Sequence, residues 1–368
     1  MRVLLSALCL LAFAGVGSAE DKKELTLKEK MAEITKEMQA ATKDVNTKYN
    51  EAKTPAEKQA VITAYNADRA KAGEKMLALA KDNAKDEAAF DAVMAANGMG
   101  AKGAGEFLVA NFADDDRIVK MIPQLGGGEN GPKTLALLGE KSKSKDVQGA
   151  AKFASVSAEI ESADYPRTGK PLPEKEAAAK FAAAAEKLAN LVKDYGDIKT
   201  ASARPTGTPP TIAEASKKLK FFMENLTIGK QAPDFESDLL EEGKKAKLSD
   251  YRGNVVVLDI WATWCGPCRA MIPHEREMVK KLDGKKFKLI SVSADEKKET
   301  LTKFLEKEEM PWTHFWVGSK GGFVEEYQIR FYPTMYVLDA KGVIRGKHLR
   351  GDDLEHFVEK LLAEASPK

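Results

Sequence analysis

Residues 255–275 read VVVLDIWATWCGPCRAMIPHE, an apolar run that leads into two cysteines separated by two residues. From Val255 to Trp261 the only polar residue is Asp259, which marks a strand buried on both faces rather than one with a side toward water. A helical stretch follows, Arg269 to Leu282, and Lys288 to Val292 is a second apolar β run. Strand, helix, strand predicts a parallel pair joined by a right-handed crossover. Downstream, Thr334 to Leu338 and Val343 to Gly346 flank Asp339-Ala340-Lys341-Gly342 and read as a β-hairpin, and Leu354 to Leu362 reads as a closing amphipathic helix. The chain after Gly229 is expected to be α/β with a mixed sheet.

Upstream the texture is different. From about Glu24 to Asn225 the chain is rich in Ala, Lys and Glu, with apolar residues at helical spacing. Met31, Ile34, Met38, Ala41, Val45 and Tyr49 form one stripe. It ends before Thr54-Pro55-Ala56-Glu57, which combines a capping residue, a proline at the first helical position and an acid three residues on. A second long helix to about Asn83 should pair with the first as an antiparallel hairpin. Further helices are predicted at Asp86 to Ala96, Asp115 to Met121, Lys133 to Glu140, Asp146 to Ile160 and Glu174 to Asp194, separated by GMGAKGAG, GGGENGP and YPRTGKPLP. The stretch TASARPTGTPPT, residues 200–211, reads as a linker, and one more helix, Ala213 to Asn225, leads into the α/β part. The expected organisation is a signal segment at 1–19, an all-α domain at 20–199, a linker with connecting helix at 200–225, and the α/β domain at 226–368.

Charge and cysteine content narrow the function. With 58 Lys and Arg against 56 Asp and Glu, the 368-residue chain has no field to concentrate nucleic acid or anionic lipid. At the N-terminus, Arg2, an apolar run from Val3 to Val16 and the small residues Gly17, Ser18 and Ala19 read as a secretory signal cleaved after Ala19. An uncleaved membrane anchor is the alternative. Cleavage would remove Cys9 and leave Cys265 and Cys268 alone in an oxidising compartment. A disulfide across two intervening residues closes too short a loop to gain much stability, so the pair is a poor staple.

A strand that ends into CGPC puts Cys265 at a helix N-terminus, where unpaired peptide N–H groups favour a thiolate. Cys265 is the expected nucleophile. Cys268, one turn on and within disulfide reach, is expected to resolve the mixed disulfide. Zinc would need a second half-site, but there is no other Cys pair and His274, His314, His348 and His356 have no ligand spacing. Asp259 sits six residues before Cys265 in an apolar strand, where a buried acid with a raised pKa would take the proton of Cys268. Trp261 is expected in the core, Trp264 on the surface that receives a partner chain, and Pro273 at a kink in its helix.

The sequence from Leu226 to Leu362 resembles the thioredoxin-like superfamily, in particular the TlpA-like extracytoplasmic thiol-disulfide oxidoreductases. The resemblance rests on IGKQAPDF at 228–235, LSDYRGNVVVLDIWATWCGPCRAMIPHE at 248–275 and RFYPTMYVLDAKGVI at 330–344. It implies a thioredoxin fold, with Cys265 and Cys268 as the redox pair, Asp259 as the buried acid and Pro333 as a cis-proline facing the disulfide. Trp264, Gly266, Pro267, Tyr332 and Pro333 would receive the substrate, with Tyr332 offering backbone groups to an extended segment. Two positions matter for direction: Met271 stands where some TlpA-like members carry a glutamate, and Gly266-Pro267 matches the reducing thioredoxins. The helical half, with KDVQGAAKFA, and the phrases HEREMVKKL and PTMYVLDAKGVIRGK resemble long two-domain members in bacteria of the planctomycete type.

The expected function is a secreted or periplasmic enzyme that reduces protein disulfides through a mixed disulfide, with no cofactor beyond the Cys265–Cys268 disulfide itself. Its expected partners are disulfide-containing proteins and a thiol electron donor at the membrane, with neither nucleic acid nor metal. Two other readings stand beside it. A thiol peroxidase would use Thr263 and Arg269 around Cys265, in keeping with APDF at 232–235; an interaction protein would dock clients on the helical half and keep the redox domain as an accessory.

Overall fold

The computed structural model describes residues 24–127, 130–164, 172–201, 208–241, 243–320 and 322–365. The expected signal segment at 1–19 lies outside them, as do residues 202–207 of the expected linker. By compactness the chain divides into residues up to Asn111 and Phe112–Lys368.

The first unit is helical: α1 (Leu27–Glu51), α2 (Pro55–Asp82), α3 (Ala89–Met99) and α4 (Ala104–Phe112). Both long helices begin with a reciprocal capping box, Thr26 with Glu29 and Thr54 with Glu57, and Pro55 occupies the first turn of α2. Thr42 Oγ1 lies 2.9 Å from Tyr65 Oη and Lys75 Nζ 3.2 Å from Glu37, so residue numbers fall on one helix as they rise on the other. That is the antiparallel hairpin the stripe predicts. Helix α4 was not anticipated, because the glycines read as breakers, Gly100 and Gly103 with φ of 87° and 78°, only punctuate the chain between α3 and α4.

The second unit opens with α5 (Arg117–Leu125), α6 (Gly131–Lys141), α7 (Lys145–Asp164), α8 (Glu174–Tyr195) and α9 (Ile212–Asn225). Val156 and Ile160 of α7, Leu188 and Leu191 of α8, and Leu219 and Met223 of α9 share one buried cluster. The ends of the Pro/Thr-rich stretch are pinned together, Thr200 N–H donating to Pro210 O at 2.8 Å, and Thr211 with Glu214 caps α9.

One mixed sheet among the described residues has the order β2-β1-β5-β4-β3-β6-β7. Its strands are β1 (Glu236–Leu239), β2 (Lys245–Lys247), β3 (Val255–Trp261), β4 (Phe287–Ser293), β5 (Thr313–Trp316), β6 (Thr334–Leu338) and β7 (Ile344–Lys347). β3, β4 and β5 pair in parallel, while β6 and β7 form the expected antiparallel hairpin, its turn tied by Lys341 and Val343 N–H groups on Asp339 Oδ1. Every residue of β3 is buried, Asp259 included, as its apolar run requires of a central strand. Helices α10 (Gly266–Arg269), α11 (Ile272–Lys281), α12 (Lys298–Leu305), α13 (Gly322–Glu326) and α14 (Gly351–Ala365) flank the sheet. One face packs Val256, Leu258 and Ile260 with Phe315, Tyr327 and Tyr336; the other packs Val255 and Val257 with Met278, Leu282, Leu354 and Val358.

Candidate active site

The cysteines stand where β3 ends. Ala262 to Trp264 leave the strand, Cys265 takes an extended conformation (φ −81°, ψ 101°) as the N-cap of α10, and Pro267 fits in the first turn, where its missing N–H costs nothing. Cys265 and Cys268 form a disulfide with their Cα atoms 5.3 Å apart, and the Cys268 N–H points at Cys265 Sγ across 3.2 Å. The helix expected as one piece from Arg269 to Leu282 is two. A proline ring at 273 clashes with the carbonyl four residues back, at Arg269, so α10 stops there and Pro273 sits in the first turn of α11 rather than at a kink inside it.

Around the disulfide the surface is apolar and uneven. Cys265 is 5% exposed, whereas Trp264 is 65% and Phe331 50% exposed. Gly266 and Pro267 are exposed as well. Trp264 meets Tyr332 edge to face, ring centroids 5.4 Å apart, and Tyr332 packs into the cluster that contains both cysteines. The Tyr332–Pro333 bond is cis, as the resemblance implies. Trp261, by contrast, is buried against Phe304.

Asp259 lies on the same face of β3 as Trp261, which shares a buried cluster with both cysteines. It is 3% exposed. Burial pushes its carboxyl up to about 7, although a hydrogen bond from Ser291 Oγ (3.5 Å) and the charge of Arg350 work the other way. Ser291 Oγ in turn accepts from Trp312 Nε1 at 2.8 Å. His314 is buried with Nε2 3.0 Å from Met310 O, and burial lowers its pKa. Among the described residues no group of three or more His, Cys, Asp or Glu is arranged to hold a metal ion.

Residues 228–347 match the family described as AhpC/TSA. The chain is 30% identical over 145 residues to the thiol-disulfide oxidoreductase ResA of Bacillus thuringiensis subsp. konkukian, covering 82% of that protein and 39% of this one. The chain belongs to the thioredoxin-like thiol-disulfide oxidoreductases. It is also similar to the thioredoxin-like protein YneN of Bacillus subtilis, 36% identical over 136 residues that cover 78% of that protein and 36% of this chain. With the thiol:disulfide interchange protein DsbE of Vibrio cholerae the identity is 30% over 152 residues, 80% of that protein and 39% of this chain. Of solved structures, the thioredoxin domain of a thiol-disulfide oxidoreductase from Bacteroides vulgatus matches at 29% identity and a TM-score of 0.36, covering 38% of this chain and 99% of that one.

The oxidoreductase carries site residues that the sequence reading did not single out. Asp295, 1% exposed just beyond β4, accepts from Thr263 N–H at 3.1 Å and Thr263 Oγ1 at 2.7 Å, and so holds the turn that presents Cys265. Arg350 reaches Pro333 O at 3.5 Å and acts electrostatically on Asp259. Glu275, in the first turn of α11, is 2% exposed. Its signal was present as an acid at 3-3-4 spacing within Ile272, Met278 and Leu282, a stripe otherwise apolar. Of the residues a peroxide site would use, the Thr263 hydroxyl is bound to Asp295 and the Arg269 guanidinium lies over the Phe304 ring at 5.6 Å.

Proposed function

We propose that this oxidoreductase works as an exported reductant of protein disulfides through Cys265 and Cys268. The reading rests on one observation above the others: Cys265 caps α10 with the Cys268 N–H aimed at its sulfur, while its partner sulfur is already within bonding distance. A peptide N–H at a helix start favours the thiolate. In the reduced enzyme the Cys265 thiolate attacks a client disulfide, an S–S bond forms to one client sulfur, and the other leaves with the bonding electrons. Cys268 then gives its proton to the Asp259 carboxylate and attacks Cys265 Sγ, releasing the second client thiolate. The client gains two electrons and the enzyme is left with the Cys265–Cys268 disulfide, to be reduced again by a thiol donor at the membrane. Exposed Trp264, Gly266 and Pro267, half-buried Tyr332 and buried cis-Pro333 supply the apolar surface over which an extended client segment lies. The Gly-Pro pair between the cysteines supports the reducing direction, and the N-terminal signal-like sequence supports export.

The test is reduction of insulin with dithiothreitol as the donor. The protein is expected to accelerate precipitation of the insulin chains, Cys265→Ser to fall to the rate of dithiothreitol alone, and Cys268→Ser to accumulate mixed disulfides with clients. Equal rates for the parent and Cys265→Ser would overturn the reading.

A further inference from the structure

Strand β3 and helix α11 face each other rung by rung. Alternate residues of the strand, Val255, Val257, Asp259 and Trp261, point to one side. On the helix the inward stripe is Leu282, Met278, Glu275 and Ile272. Val255 and Val257 share a buried cluster with Met278 and Leu282, and Trp261 shares another with Ile272 and both cysteines. Two strand residues rise about 6.6 Å and three to four helical residues about 4.5 to 6 Å, so the two ladders keep pace. Asp259 and Glu275 therefore occupy the same rung, between an apolar layer below and the disulfide layer above.

Asp259 Oδ1 and Glu275 Oε1 are both buried without a hydrogen-bond partner. Of the groups that face Asp259, β4 contributes Ser291, backed by Trp312, and the segment before α14 contributes Arg350. On the α14 side of α11, Glu355 is engaged by Lys281 and lies 3.8 Å from His274. The charge that reaches Glu275 is that of Asp259.

We propose that Glu275 and Asp259 act as one buried carboxyl pair that retains a shared proton behind the disulfide, with Glu275 as the positioning residue that leaves Asp259 the base for Cys268. The inference rests on the reading of Asp259 as that base. Two facing carboxylates in an apolar layer repel, so over the neutral range one of them keeps its proton. Burial, followed by the charge of Asp259, holds the Glu275 carboxyl well above its ordinary range, while Ser291 and the charge of Arg350 favour the ionised form of Asp259, so the proton is assigned to Glu275. When Cys268 attacks, its proton passes to Asp259, its sulfur bonds to Cys265, and the client sulfur leaves with the electron pair. The pair then holds two protons and returns one to solvent.

The pair is tested on the full chain, in the disulfide form, by titrating carbon-13-labelled side-chain carboxyls by NMR, with insulin reduction measured in parallel. Glu275 is expected to titrate above Asp259, and in Asp259→Asn to fall by about one pH unit or more, the mark of coupled sites. In Glu275→Gln the upper step disappears while the Asp259 step remains. A Glu275 step that stays in place in Asp259→Asn, or an upper step that survives Glu275→Gln, overturns the pair. If the parent still accelerates insulin reduction in that case, the proposed function stands without it; if the parent fails to accelerate insulin reduction, the function falls while the titration still decides the pair.

Discussion

Asp259→Asn is expected to make the protein more stable than its parent at pH 7 and above while slowing release of the client. The stability sign follows from linkage. Below about pH 4 the carboxyl is protonated in both the folded and unfolded chain, and it contributes no pH dependence. As pH rises, the unfolded chain gives up the proton at its ordinary value, whereas burial in the fold holds that proton until about 7. Across that window the folded parent loses about 1.4 kcal/mol per pH unit relative to the unfolded chain, and above it the loss levels off. Moving a carboxyl from 3.8 to about 7 amounts to a penalty of about 4 kcal/mol, which Asn does not bear. Urea midpoints of the disulfide form at pH 4, 5.5, 7 and 8.5 should separate progressively between the first and third values and then run parallel. A stability difference that does not vary with pH would mean that the carboxyl ionises in the fold as it does in water. The stability gained is the counterpart of the function lost: Cys268 has no base of matched pKa, so mixed disulfides with clients should persist longer in Asp259→Asn than in the parent.

The parts of the fold legible in the sequence are those whose pattern has a single solution. β3 is apolar but for Asp259 and β4 is buried at all but one position, the β6–β7 turn carries its own Asp339 and Gly342, and the long helices announce their capping boxes. The edge strand β2 and its neighbour β1, three and four residues long, are too short for an alternation to show. The four-residue β5 and the short α12 lack the length for a period to emerge. At the site, Cys265, Cys268 and Asp259 could be found because each breaks an apolar or sulfur-poor background. Asp295 and Arg350 could not, because their roles depend on contacts 32 residues from Thr263 and 17 from Pro333 in sequence. Glu275 lies between these cases: the stripe makes it odd, but only the register of α11 on β3 shows what it faces.

Asp164→Ala is expected to cost about 3 to 5 kcal/mol, although neither Asp164 nor its partner is near the cysteines in sequence. Lys347, on β7, has a side chain only 3% exposed, with its ammonium 2.6 Å from Asp164 Oδ2 and 3.0 Å from Leu226 O. The Phe222 and Tyr336 rings lie 4.7 and 5.2 Å from the same nitrogen. Burial pushes each group toward its neutral form, raising Asp164 and lowering Lys347, while each partner's charge opposes the shift of the other. A pair of this kind adds little over a well-packed apolar one, yet breaking one side strands a buried charge. The double variant Asp164→Leu with Lys347→Met should therefore recover most of the loss, a coupling read directly from a double-mutant cycle of urea unfolding. The effect reaches the site through α7: Glu161, one turn before Asp164, pairs with Arg330, and Arg330 leads into the Phe331-Tyr332-Pro333 turn. Helix α7 thus holds both β7 and the turn that carries the cis-proline, so in Asp164→Ala loss of insulin reduction on warming should track unfolding. A cost below about 1 kcal/mol would show that Lys347 is hydrated or neutral in the fold, and that the helices of this unit are not fastened to the sheet by charge.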